Sequence, residues 1–376
     1  MLISLAFSVT SLVAQNFSDQ ANNTALSKKV IFISPDVVGN PYWDFVSNTM
    51  RKAAQDYGME LHILHTSRHD VHDYSQLINQ INNIEKPDFL IYVYQYKLGK
   101  KLLEYGEKNQ IKSFIINTNI SETERKTIGR PTEIFKYWIG HSYASLSDIS
   151  FELSKKAYSL AKPLTKLKAD KNVYAIVLSG SRDSDLASQW NYGASKAEGE
   201  LDDFKIKQTV YTSFNAEIGY EKAKKLLLRY PDVSVIISMD ENVARSAIKA
   251  AEELGRKPGK DIFIAGSASL IPTFNMVEQR KLLASYALSV WFGVHAISYL
   301  YDYTLNCNGL EKEFTYNFAE TDIIYREIPH YRQIISEETW RNIDYRYFSL
   351  AYSPNSEKYD FSLKAFKAAI MQDKAK

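Results

Sequence analysis

Three groups of side chains in this sequence have types and spacings that could do chemistry. The first pairs flat rings with amides and carboxylates. Asn40, Tyr42 and Trp43 close the run Ile33–Trp43 (ISPDVVGNPYW). Asn119, Phe214 and Asp240 follow other strands farther along, and Trp190 opens a helix after a polar loop. A ring can stack on the apolar face of a cyclic ligand while an amide or carboxylate hydrogen-bonds its edge. The same residues also have structural readings: Trp43 and Trp190 as core, Asn40 and Asp240 as helix caps. The second group is the histidines His62, His65, His69 and His72, with Asp70 and Asp73 nearby. Metal ligation needs imidazoles that converge on one point. His62 and His65 stand three apart in a strand pattern and so face opposite sides. A solvated surface cluster is expected there, and no metal. The third group is defined by what is missing. No strand is followed by Gly-x-Gly-x-x-Gly, Gly-Lys-Ser/Thr or Gly-x-Ser-x-Gly, so neither a phosphate cradle nor a nucleophile elbow is indicated. No cofactor is expected. The lone cysteine, Cys307, leaves no intramolecular disulfide and no Cys-based zinc site.

The elements that would position these residues alternate. Val30–Ser34, Glu60–His65, Phe89–Tyr94, Ser113–Ile116 and Tyr137–Gly140 read as strands, rich in β-branched and aromatic residues. Tyr42–Gly58, Tyr74–Ile84 and Gly99–Asn109 read as helices; in the first, Trp43, Val46, Met50, Ala53 and Ala54 form one stripe. A second round follows, with helices over 146–161, 189–200, 218–229 and 242–254 and strands over 174–178, 207–211, 233–238, 262–266 and 283–288. A helix over Phe292–Thr304, a strand near Phe314–Tyr325 and a helix over Phe361–Met371 come last. This succession predicts an α/β protein of two doubly wound parallel-sheet lobes joined by a multi-strand hinge. The divisions expected are 1–27 as leader, 28–141 plus 290–315 as the N-terminal lobe, 142–289 plus 316–330 as the C-terminal lobe, and 331–376 as an extension.

Composition narrows the function. The 376 residues hold 46 Lys and Arg against 44 Asp and Glu, a formal net charge of +2, with 26 Tyr, 18 Phe and 5 Trp. Such balance carries no electrostatic footprint for nucleic acid or an anionic membrane surface. Met1–Ala14 is an apolar run ending in small residues, without a preceding Lys or Arg. It has the core and cleavage region of a secretory signal peptide, so a periplasmic location is expected.

Taken together, these residues resemble the type I periplasmic binding proteins of the ribose-binding and LacI-like superfamily. The pieces are Asn40-Pro41-Tyr42-Trp43, Phe214 ahead of a helix ending Arg229-Tyr230-Pro231-Asp232-Val233, Ser238–Ala244 and Asp261–Gly266. Within it the Tyr42-Trp43 pair, Lys86–Tyr94 and the long connection Asn119–Lys136 look most like the LuxP-type autoinducer receptors. The resemblance implies a small, sugar-like ligand held between the lobes by Asn40, Tyr42, Trp43, Asn119, Trp190, Phe214 and Asp240. It implies delivery to an ABC importer permease or a membrane sensor such as a histidine kinase, and no catalysis. Three positions depart from the family's sugar binders. Asn117-Thr118 stand for Asp-Arg, Ser188-Gln189-Trp190 for a common Arg, and Ser267-Ala268 for a ligand Asp. Two other classes compete: a LacI-like regulator, which needs an N-terminal helix-turn-helix and a basic face, and a flavodoxin-like enzyme, which needs a nucleophile–base pair or phosphate loop.

Overall fold

A computed structural model describes residues 28–66, 73–95, 98–167, 170–182, 184–286, 288–316, 327–352 and 357–373. The leader Met1–Ala14 and the ligand candidates His69, Asp70 and His72 lie outside the described residues.

Strand β1 (Lys29–Ser34) shows why the chain builds parallel sheets. Val30 and Phe32 enter one core, while Ile31 and Ile33 enter the other. A strand buried on both faces needs helices on both sides, which crossover connections supply. β1 pairs in parallel with β2 (Glu60–His65) and β3 (Phe89–Val93). β4 (Lys112–Ile116), β5 (Trp138–Ala144) and β11 (Glu313–Tyr316) extend the sheet, giving the order β11-β5-β4-β3-β1-β2. Its crossovers are α1 (Pro41–Asp56), α2 (Asp73–Asn82), α3 (Leu98–Asn109) and α4 (Glu122–Ile128). The stripe Trp43, Val46, Met50, Ala53 and Ala54 on α1 is buried.

The second sheet has the order β10-β9-β8-β6-β7. Its strands are β6 (Val173–Ser179), β7 (Phe204–Tyr211), β8 (Val233–Ser238), β9 (Phe263–Ala268) and β10 (Leu282–Tyr286). The helices are α5 (Leu146–Ala161), α6 (Asp185–Glu200), α7 (Ala216–Arg229), α8 (Glu241–Glu253) and α9 (Ile271–Glu278). Every described pairing in both sheets is parallel. The fold is thus two α/β lobes, each with its own parallel sheet.

The lobes exchange chain more than once. After Ala144 the chain enters α5, which packs on α6, β8 and β9. After β10 it returns through a 3-10 turn (Leu288–Trp291) into α10 (Phe292–Thr304), which packs on α1, β4 and β5. α5 and α6 touch so closely that Gly193 has no room for a side chain: a Cβ there would collide with the Ser147 carbonyl. Gly193→Ala is therefore expected to cost about 1–3 kcal/mol, the range for overpacking a filled interface. Urea unfolding of the variant measures it, and an unchanged midpoint would contradict the packing described.

Candidate functional site

Both sheets change strand order at one place. In the first lobe β1 is followed by β2 on one side and β3 on the other; in the second, β6 is followed by β7 on one side and β8 on the other. Crossovers leaving in opposite directions open a crevice beyond the carboxyl ends of the strands, where open α/β sheets take their ligands. The two switch points carry the same local turn. Ser34 Oγ donates to the Asp36 carbonyl at 3.4 Å, and Ser238 Oγ donates to the Asp240 carbonyl at 3.0 Å.

At the first switch point Asn40 caps α1. Its Oδ1 accepts from the Tyr42 and Trp43 N–H groups at 3.0 and 3.2 Å, and its Nδ2 donates to Asp36 Oδ2 at 2.7 Å. The Asn40 amide thus holds the loop, and Pro41 begins the helix with the φ it already prefers. Trp43 is 8% exposed and sits 6.3 Å from the Phe32 ring, so it belongs to the core. Tyr42, half-buried, meets it edge-on at 5.0 Å.

At the second switch point Asp240 caps α8, its Oδ1 accepting from the Asn242 and Val243 N–H groups at 2.9 and 3.1 Å. Phe214 lies between β7 and α7, and its ring lies directly over Gly180, where a Cβ would strike it. Ser213 and Phe214 both take left-handed backbone, φ 52° and 56°. That conformation costs an ordinary residue about 1–2 kcal/mol, and such strain gathers at ligand sites. Beside Asp240, Glu241 is buried. Its Oε2 accepts from Ser269 N–H and Thr273 Oγ1, each at 2.9 Å. Burial pushes its carboxyl up to about 7.

The lobes meet across the crevice. Gln189 Nε2 on α6 donates to the Asn119 carbonyl at 2.6 Å. Asp185, at the start of α6, faces Ser121, which caps α4, and this proximity favours its charged form. Burial raises the Asp185 carboxyl, and the Glu124 carboxylate raises it further. Trp190, adjoining Gln189, is 1% exposed. Asn119 contributes its backbone to this contact, and Trp190 belongs to the core.

Several buried polar atoms near these strand ends have no protein partner: Thr118 Oγ1, Ser142 Oγ, Ser181 Oγ, Gln189 Oε1 and Glu241 Oε1. Leaving such a group unpaired costs about 1–3 kcal/mol. Most of the set is uncharged, and it mixes donors with acceptors, which suits a ligand rich in hydroxyl groups.

Residue types and spacing singled out the two switch-point loops. They missed α4 inside the connection 119–136 and the first turn of α6. The capping box Ser121-x-x-Glu124 marked the former: Ser121 Oγ accepts from Glu124 N–H at 3.3 Å. Of the described histidines, His62 pairs with exposed Glu60 and His65 bonds the Asp36 carbonyl. Among the described residues no three His, Cys, Asp or Glu side chains converge on a metal position. No described helix is long and apolar enough to cross a membrane.

A model of the periplasmic binding protein domain family matches residues 31–290. The chain is similar to a periplasmic sugar-binding protein from Pseudomonas fluorescens, with 25% identity over 90% of this chain and 99% of that one, at a TM-score of 0.78. An ABC transporter solute-binding protein from Actinobacillus succinogenes 130z, with bound D-allose, shares 16% identity over 77% of this chain and 96% of its own, TM-score 0.63. The arabinose ABC transporter's binding protein from Shewanella sp. ANA-3, bound to L-arabinofuranose, shares 16% over 81% and 96%, TM-score 0.65. These last two show likeness of fold.

Proposed function

Since the chain belongs to the periplasmic binding protein family, we propose that it is a periplasmic receptor for a neutral, sugar-like solute. The observation that carries this is the set of unpartnered hydroxyl, amide and carboxyl oxygens near the facing strand ends. A ligand with hydroxyls on several sides would pair them, while Phe214 and Tyr42 offer ring faces. The Gln189–Asn119 and Asp185–Ser121 contacts would close the lobes over it. The sugar-binding neighbour at 25% identity supports the same ligand class. The ligand is held and released unchanged, then presented to an inner-membrane ABC permease. A LuxP-type signalling receptor facing a sensor kinase is the second reading, favoured by the Tyr42-Trp43 pair and the long connection 119–136.

Thermal shift against D-allose, L-arabinose, myo-inositol and D-galactose tests the reading. A true ligand at a hundred times its Kd is expected to stabilise the protein by about 2.7 kcal/mol. No shift with any sugar or polyol would contradict it. For the sugar that binds, Phe214→Ala and Gln189→Leu are each expected to weaken affinity at least about tenfold, or about 1.4 kcal/mol. Calorimetry showing wild-type affinity in both variants would remove these residues from the site.

A further inference from the structure

We propose that the C-terminal extension is a strap fastened to both lobes that limits how far they open. The proposal rests on the lobe motion assumed in the functional reading, but not on the ligand's identity. The extension comprises α11 (Ile328–Ile335), α12 (Glu337–Asn342), a 3-10 turn (Tyr345–Phe348) and α13 (Leu363–Asp373). α11 packs on α9 of the second lobe. There Tyr331 stacks on Phe274 with centroids 6.2 Å apart, and Arg332 donates to Asn275 Oδ1 at 2.6 Å and Glu278 Oε2 at 2.7 Å.

The next segment crosses to the first lobe. α12 and the 3-10 turn pack on α1, and the turn also packs on α10. Tyr345 N–H donates to Asp56 Oδ2 at 2.9 Å, and Tyr57 Oη donates to the Tyr345 carbonyl at 2.7 Å. The buried Asp302 carboxylate on α10 then accepts from Ser349 Oγ, Leu350 N–H and Tyr359 Oη at 2.5, 2.8 and 2.9 Å. α13 returns to α11 and lays Phe366 on Trp291, the last residue of the crossing into α10, at 4.3 Å. Phe45 of α1 meets that indole edge-on at 5.3 Å. The extension thus grips each lobe and the crossing between them.

The two grips are unequal. The first-lobe anchor is a buried carboxylate with several donors. The second-lobe anchor sets a ring stack and a partly exposed arginine, with 26% of its side chain accessible, beside the buried Ile328, Ile334 and Ile335 of α11. Opening would peel α11 from α9 before it disturbs Asp302. The double variant Tyr331→Ala/Arg332→Ala loosens the second-lobe grip without touching the proposed ligand site. Hydrogen exchange across 328–335 reports whether the grip is released, and small-angle scattering of the ligand-free protein reports lobe separation. We expect faster exchange together with a larger radius of gyration. For any sugar the wild type binds, the apparent Kd should rise about threefold or more, because fewer molecules occupy the closed form. Faster exchange with an unchanged scattering profile would overturn the strap. Unchanged exchange would overturn it as well, since the anchor would then not be Tyr331 and Arg332. Failure of the wild type to bind any sugar would count against the functional reading alone, because the scattering comparison needs no ligand.

Discussion

Asp302→Ala is expected to destabilise the protein by about 3–5 kcal/mol, the upper range for a single substitution. Asp302 is fully buried on α10. Besides Ser349 Oγ, Leu350 N–H and Tyr359 Oη, its carboxylate accepts from Ala351 N–H at 3.2 Å. Burial raises its pKa, and these donors pull it back down. Alanine would leave Leu350 N–H and the Ser349 and Tyr359 hydroxyls buried without this acceptor, at about 1–3 kcal/mol for each. The sum is less than additive because they share one acceptor and can relax together. Asp302→Asn keeps one acceptor oxygen but turns an NH2 toward N–H and O–H donors, so an intermediate loss is expected. Urea unfolding of both variants decides the matter. A loss below about 1 kcal/mol for alanine would show that the extension is held by its apolar contacts instead.

The second large effect is in pH. His295 is fully buried, and neither ring nitrogen has a hydrogen-bond partner. Rings of Phe114, Phe314, Tyr316, Tyr359 and Phe361 surround it at 4.5–6.0 Å. Burial drives its pKa from 6.5 down to about 3. Unfolding releases the imidazole to water, where it takes up a proton. The unfolded chain therefore binds more protons than the native one between those values. The stability associated with neutral His295 is complete above pH 6.5 and is lost as pH falls toward 3. At about 1.4 kcal/mol per pH unit, the loss by pH 4.5 is about 3 kcal/mol. Glu241 runs the other way. Its folded pKa is raised from 4.5 to about 7, so its contribution is present below pH 4.5 and lost as pH rises through 7. The wild-type profile mixes these with other shifted groups such as His141 and Asp302, and the difference from His295→Leu isolates one. Leucine fills a similar volume without a buried polar atom. We expect it to match or exceed wild type at pH 7.5 and to gain about 3 kcal/mol on wild type by pH 4.5. Parallel stability curves for the two proteins would remove His295 as the titrating group.

The lobes were legible because both sheets are internal. Runs such as VIFIS and YAIVL are apolar on both faces, a pattern that a parallel sheet between helices requires. Helix starts were legible where a cap sits beside the first apolar residue, as at Asn40-Pro41 and Asp240. The site was legible only as two loops. Asn40 and Asp240 read equally well as caps or ligand groups, and the structure gives their side chains to capping. Gln189 and Asp185 stand in a polar run, and their relation to Asn119 and Ser121 exists only once the two lobes face each other. The extension was opaque for a similar reason. Asp302 lies in an apolar helix, and its donors come nearly fifty residues later. No periodicity reports a contact at that separation.

The most direct test measures scattering and binding together. Ligand-free protein is titrated with D-allose, L-arabinose, myo-inositol and D-galactose, and the sugar recovered afterward is analysed. For at least one of them we expect saturable binding, a decrease in radius of gyration on saturation and recovery of the sugar unaltered. Saturable binding with no compaction, chemical conversion of the sugar, or no binding across the panel would contradict a two-lobed receptor that closes on an unreacted solute.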